Sequence, residues 1–466
     1  MKRAKRARLI VRPFLAGALC LAGAHPAAAQ KVPGWQEDPF PSTYRAPPQA
    51  DVLIRGATVL DGAGKRIDGG DVLVRGGKIV AVGKGLANPG GVREVNAAGR
   101  WLTPGTIDVH SHNGTYVLPL TTIDHAAGDV SELSSPNVAD TWIETATNPQ
   151  DVAFARALTN GVTTIQILPG STPIFAGRSV IVKPIMAPTI AQMKFPGAPQ
   201  GFKMACGENP KSYGADVNNE GPTSRQGVIA YMRTAFLDAQ EYKRAWDRYR
   251  AGTGPAPQRD YKREALAGIL SGDIRVHVHC YRANDMSAVL AVAREFGFRI
   301  ASFQHAVEAY KIPELLRDAG TCAAVWSDWW GFKMEALDAV RANAPLLQRA
   351  GTCVTMHSDS PADGQRLNVN AAEAAGAGKR IGIDIPPEEM IRWTTSNAAR
   401  LLGLEKSVGT IAPGFDADIV LWSGSPFSIY TKADLVMIGG GVAYDRTRPE
   451  TQPISDFEIG RKAMQP

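Results

Sequence analysis

Cysteine is scarce, with five residues in 466 and no Cys-x-x-Cys spacing. A disulfide framework of the small secreted type is not expected in a chain this large. Cys20 falls in a leader segment. Cys206, Cys280, Cys322 and Cys353 lie in or beside apolar runs, so buried free thiols are the expectation, with room for one opportunistic bridge. No Gly-x-Gly-x-x-Gly turn follows a strand candidate, so nothing recommends a doubly wound nucleotide-binding sheet. No apolar run is long enough to span a bilayer. No repeat with a solenoid or propeller period is visible.

Acidic residues are absent before Glu37, whereas Lys2, Arg3, Lys5, Arg6, Arg8 and Arg12 crowd the start. Overall there are 51 Lys+Arg against 45 Asp+Glu, a net charge of +6. Those six residues supply the whole surplus, so residues 30–466 are neutral overall. Such a chain offers no standing basic face to a nucleic acid. With 44% hydrophobic and 21% charged residues it reads as globular. The basic start, the short apolar run Phe14–Gly23 and the small residues Ala27–Ala29 predict a signal peptide over 1–29, cleaved after Ala29. The expectation is a secreted or periplasmic protein with no membrane span.

Residues 30–50 read as an extended, proline-rich arm. Short β-type runs separated by Asp-Gly and Gly-Gly turns fill 51–103 and return over 408–450. Between them, over 104–407, apolar strand candidates alternate with helical stretches. Strands are expected at Gly105–His112, Val162–Leu168, Phe202–Cys206, Ile274–Cys280 and Phe298–Gln304, with more starting at Thr321 and Thr352. One helix is expected from Asn148-Pro149 to Gly161, another over Asn284–Phe296 closed by Gly297, and a long one over Arg225–Arg250. The fold class predicted is α/β: a (β/α)8 TIM barrel with a small composite β-sandwich built from both chain ends, and a tail over 451–466.

The histidines favour strand ends. His110 and His112 alternate on one strand, so they share a face and can bind one metal ion side by side. Asp108 lies on the same face below them. His277 and His279 repeat the pattern. His279 is nearer the C-terminal end, where barrel sites lie, so it is the ligand candidate and His277 a deeper neighbour. His305 follows the next strand. Asp359 ends the last strand, where it can ligate a metal and take a proton, and His357 lies one layer deeper. If two ions bind, an anion must bridge them. Glu208, just beyond its strand, is preferred, with Lys203 as the alternative if its amine is carboxylated.

These segments, in this order, resemble the amidohydrolase superfamily in its imidazolonepropionase-like branch. The likeness runs over about residues 51–450. It is carried by Asp51–Ala57, by Pro104–His112, by His357-Ser358-Asp359-Ser360, by Ser396–Leu404 and by Gly409–Val420. The resemblance implies that His110, His112 and Asp359 hold one divalent ion, that His279 and His305 hold a second, and that Glu208 joins them. One or two ions are expected, by default Zn2+, though iron or manganese suits such ligands. It implies a hydrolase that cleaves a C–N bond with metal-activated hydroxide, Asp359 acting as general acid and base. A dipeptide, an N-acyl amino acid or a cyclic amide is the expected small-molecule substrate. A deaminase of a cyclic amidine and a non-catalytic metal-binding barrel are the rivals. Trp326, Trp329 and Trp330 are candidates to wall the substrate pocket, together with His357. A homo-oligomer is compatible with the sequence.

Overall fold

The computed structural model describes residues 34–35, 37–216 and 221–448, with the backbone alone for 213–216. The expected signal peptide and most of the tail lie outside these residues. Both ends of the described chain contribute to one eight-stranded sheet. Its early members are β1 (Val52–Leu60), β2 (Arg66–Arg75), β3 (Lys78–Gly83), β4 (Arg93–Asn96) and β5 (Trp101–Pro104). Between them and the last three strands lie β6 (Thr106–Ser111), β7 (Val162–Ile167), β8 (Phe175–Arg178), β9 (Val180–Val182), β10 (Gly201–Ala205), β11 (Arg275–Cys280), β12 (Ile300–His305), β13 (Cys322–Val325) and β14 (Val354–Met356). The chain then returns as β15 (Ile419–Trp422), β16 (Ala433–Ile438) and β17 (Gly441–Asp445). β15 pairs antiparallel with β5, and the joint carries an apolar core that includes Ile54, Val72, Leu102, Ile419 and Met437.

The middle strands make two further sheets. β6 pairs parallel with β7, and β7 antiparallel with β9. β8 pairs antiparallel with β10, after which β10 to β14 run parallel in sequence order. β8 and β9 are separated only by Ser179, so one broken strand links the two sheets. At the far side, the Asp359 N–H donates to His110 O at 2.8 Å, which joins the end of β14 back to β6.

Alternation explains why these strands serve a site. In β10, Phe202 and Met204 face the helices and belong to the large apolar core, as do Val276 and Val278 in β11. The opposite face carries Lys203, His277 and His279, all buried. The helix Arg225–Arg250 lies where the sequence puts it and buries Met232, Phe236 and Trp246. The helix Ala283–Phe296 ends on Gly297 at φ 76°, the left-handed conformation that glycine adopts without a Cβ penalty.

Three expectations need correction. Strand–helix alternation fails at β8–β9, which run antiparallel to their neighbours, with no helix between β7 and β8. The helix after Asn148 starts later, at Val152, because the Asp151 side chain accepts from the Ala153 N–H and caps it. Four of the cysteines are not free: Cys206 bridges Cys280 and Cys322 bridges Cys353. Each pair sits on neighbouring parallel strands, with Cα atoms 5.2 and 4.5 Å apart, within disulfide reach. The sequence separations of 74 and 31 residues hid that adjacency.

Candidate metal centre

β6 presents His110 on its inner face and His112 follows directly after its end, both buried. The turn after β14 brings Asp359 to them. Its Oδ1 lies 3.0 Å from His110 Nε2 and 3.2 Å from His112 Nε2, and its Oδ2 is 4.0 Å from His305 Nδ1. Asp359 sits at φ 55°, and His305 and Ala306, which end β12, sit at 69° and 42°. Non-glycine residues adopt this region at a cost, and here the cost falls on the residues that converge.

The hydrogen bonds identify what the cluster lacks. His112 Nδ1 is 2.9 Å from Leu168 O. A carbonyl only accepts, so Nδ1 carries a proton and Nε2 is the ring atom turned toward Asp359 Oδ1. His110 Nδ1, both ring nitrogens of His279 and His305, and both of His357 are buried without any partner. Burial holds His110, His279 and His305 well below the ordinary imidazole range and His357 down at about 3, so these rings are neutral. Burial would raise the Asp359 carboxyl, but the neighbouring His110 and His305 and the hydrogen bonds from His110 and His112 outweigh this and hold it well below the usual carboxylate range. Neutral imidazoles and one carboxylate, all short of a cation, form the donor set that holds a divalent metal.

Two groupings bring ligand atoms within 4.8 Å of one another: His110, His112 and Asp359, and His110, His305 and His357. His357 therefore lies among the candidate ligands rather than a layer beneath them. His279 packs against His305 with ring centroids 4.5 Å apart. His277 sits deeper on the same strand, its Nδ1 2.9 Å from Ser302 Oγ.

The bridging candidates separate. Lys203 is fully buried, its Nζ 3.1 Å from His110 Nε2 and 3.3 Å from Pro169 O. Burial pushes its pKa down to about 7. Glu208 opens the following helix and turns elsewhere: its Oε2 accepts from the Glu335 N–H at 3.4 Å, and its own N–H donates to Glu335 Oε2. The preference for Glu208 is thus not matched by its placement, because the Gly207 turn at φ 82° carries it out of the strand's inner face.

Trp326 stacks on His305 at 4.4 Å and on Trp329 at 4.7 Å, forming an aromatic wall beside the cluster. Trp330 does not join them: it is 66% exposed and its Nε1 donates to Leu337 O. Sequence reasoning gave no role to Ser358, whose Oγ donates to Asp108 Oδ2 at 2.5 Å and whose N–H donates to Asp108 Oδ1. Burial lifts Asp108 to about 7 against those bonds. This pair ties β6 to the turn carrying Asp359; the signal was Asp108 itself, a carboxyl inside an apolar strand.

Residues 101–446 match the amidohydrolase family, so the chain belongs to it. A solved amidohydrolase structure from Thermotoga maritima is 30% identical, with a TM-score of 0.77 over 85% of this chain and 100% of that one. The amidohydrolase tasK of Hapsidospora irregularis is 29% identical over 403 residues, 81% of this chain; the match spans only 40% of that longer protein. An imidazolonepropionase of Rhizorhabdus wittichii is 25% identical over 70% of this chain and 80% of its own length.

Proposed function

We propose that this protein is a metal-dependent amidohydrolase that cleaves an amide or peptide-like C–N bond inside a closed (β/α)8 barrel, β14 returning to β6. The reading also takes the chain-end sheet as a composite sandwich domain. The observation that carries the functional reading is the convergence of His110 Nε2, His112 Nε2 and Asp359 Oδ1 on one point, beside buried ring nitrogens of His279, His305 and His357 that have no hydrogen-bond partner. His110, His112, His279, His305 and Asp359 would hold one or two divalent ions, by default Zn2+. His357 is an added candidate. Lys203 is the better bridging ligand. Its amine is buried, and with its pKa pushed down to about 7 it is about half neutral near pH 7, the form that can add carbon dioxide; the resulting carbamate would supply a negative charge beside His110.

A divalent ion held by these residues would supply Lewis acidity, lowering the pKa of water and polarising the scissile carbonyl. The rest falls to the chain. Asp359 Oδ1 is turned to the β6 imidazoles, which leaves Oδ2 to take a proton from the attacking water and pass it to the departing nitrogen. Ser358 and Asp108 fix the turn that aims this carboxylate. Trp326 and Trp329 shield one side from water. The substrate class is a dipeptide, an N-acyl amino acid or a cyclic amide. The name of the imidazolonepropionase relative, which matches most of both chains, supports a cyclic amide among these. We place the enzyme outside the cytoplasm; two disulfides and the three-part leader support this.

The test is hydrolysis of a panel of these three classes, read as amine release or, for a cyclic amide, as ring opening, with and without a chelator. Hydrolysis of at least one class, abolished by chelation and restored by zinc, is expected. Hydrolysis that survives chelation would remove the metal from the reaction.

A further inference from the structure

The two disulfides lie at opposite ends of the middle strands. Cys322 opens β13 and Cys353 precedes β14, so that bridge is remote from the imidazoles along the strands. Cys280 ends β11 immediately after His279, and Cys206 follows β10, three residues beyond Lys203. This second bridge lies at the level of the candidate ligands. The Cys206 N–H also donates to His279 O at 2.9 Å, and Ala205 is in register with His279.

Alternation gives the bridge its character. Lys203 and His279 face inward, whereas Cys206 and Cys280 face the helices, in the apolar core with Met204 and Val278. The sulfurs are therefore not ligands. They join two ligand strands from behind, at the point where the chain turns away at Gly207. A cavity of about 190 Å³ lined by Cys206, Arg225 and Asp285 reaches this spot from outside.

We propose that the Cys206–Cys280 disulfide is a positioning device for the metal centre, locking the ends of β10 and β11 so that Lys203 and His279 keep the separation a divalent ion requires. This rests on the metal reading above. A group that orients ligands without touching the ion changes affinity by roughly ten- to a hundredfold when removed.

The test compares two double variants of the full chain loaded with Zn2+: Cys206→Ala with Cys280→Ala, and Cys322→Ala with Cys353→Ala. Both should melt at lower temperature than the parent. Only the first should surrender zinc to a chelator faster, by roughly tenfold or more. Should that variant fail to fold, the second variant, which keeps only the bridge in question, is treated with dithiothreitol. The dithiol passes two electrons and two protons to the bridge and closes into its own cyclic disulfide, while the S–S bond gives two thiols. Zinc release in step with thiol appearance supports the proposal. Equal zinc retention, in the folded variants or before and after reduction, overturns it and leaves the metal reading intact. A parent protein that binds no zinc removes both.

Discussion

Lys183 and Lys203 are both buried lysines on the inner strands, and the molecule treats them in opposite ways. Lys183, just past β9, donates to Thr164 Oγ1 and forms an ion pair with Asp418, which also accepts from the Gly439 N–H. Its ammonium lies over the Phe195 ring at 4.0 Å. Charge, hydrogen bonds and packing are all accounted for, and the pair links β9 to the approach to β15. Lys203 has no carboxylate within ion-pair distance among the described residues; it has an imidazole nitrogen and one carbonyl. A buried lysine without a counter-ion is costly and sheds its proton. The lesson is that a compensated buried charge builds the fold, and an uncompensated one marks where the fold waits for a ligand.

That contrast can be broken by substitution. The largest effect is expected at the carboxylate facing the cluster. Asp359→Asn should lower kcat by at least about a hundredfold, because the proton acceptor is lost. Bound zinc, measured on the same sample, should largely remain; an unchanged rate would remove Asp359 from proton transfer. Next comes Lys203→Ala, which should weaken zinc binding by roughly tenfold or more, whereas Glu208→Ala should leave it near the parent value, both by titration against a coloured chelator. The reverse order would restore Glu208 as the bridge. At the compensated site, Lys183→Ala strands Asp418 and should cost about 3–5 kcal/mol in denaturant melts while leaving zinc binding unchanged. A loss of zinc there would erase the distinction between the two lysines.

The last expected effect is on acid stability. Burial holds His277 and His357 at about 3, below their ordinary value of 6.5. The folded chain leaves them unprotonated, while the unfolded chain protonates them below pH 6.5. Their contribution is thus complete above 6.5 and falls as the pH drops toward 3. Urea melts of metal-free protein across that window should show the decline, and a His277→Gln variant should show a shallower one.

The order of strands, the shared chain-end sheet and the pairing of His110 with His112 were legible because alternation and turn signals are local. So was Asp359, placed by its position after a strand. The antiparallel β8–β9 segment was not: no strand was expected over 175–182, and only pairing reveals its direction. The two bridges were hidden for the same reason: nothing near Cys206 names Cys280 as its neighbour. The choice between Glu208 and Lys203 turned on Gly207, whose positive φ swings the glutamate away while the lysine keeps its inward face. A charged residue between Phe202 and Met204 was the available clue.

The central claim is that the imidazole and carboxylate cluster is a metal site. Elemental analysis of the full-length protein, purified with added zinc and bicarbonate and freed of loosely bound ions, tests it directly. The account predicts at least one divalent ion per chain, lost when His110 and His112 are both replaced by alanine. A protein that carries none, or that holds as much after that replacement, would contradict it.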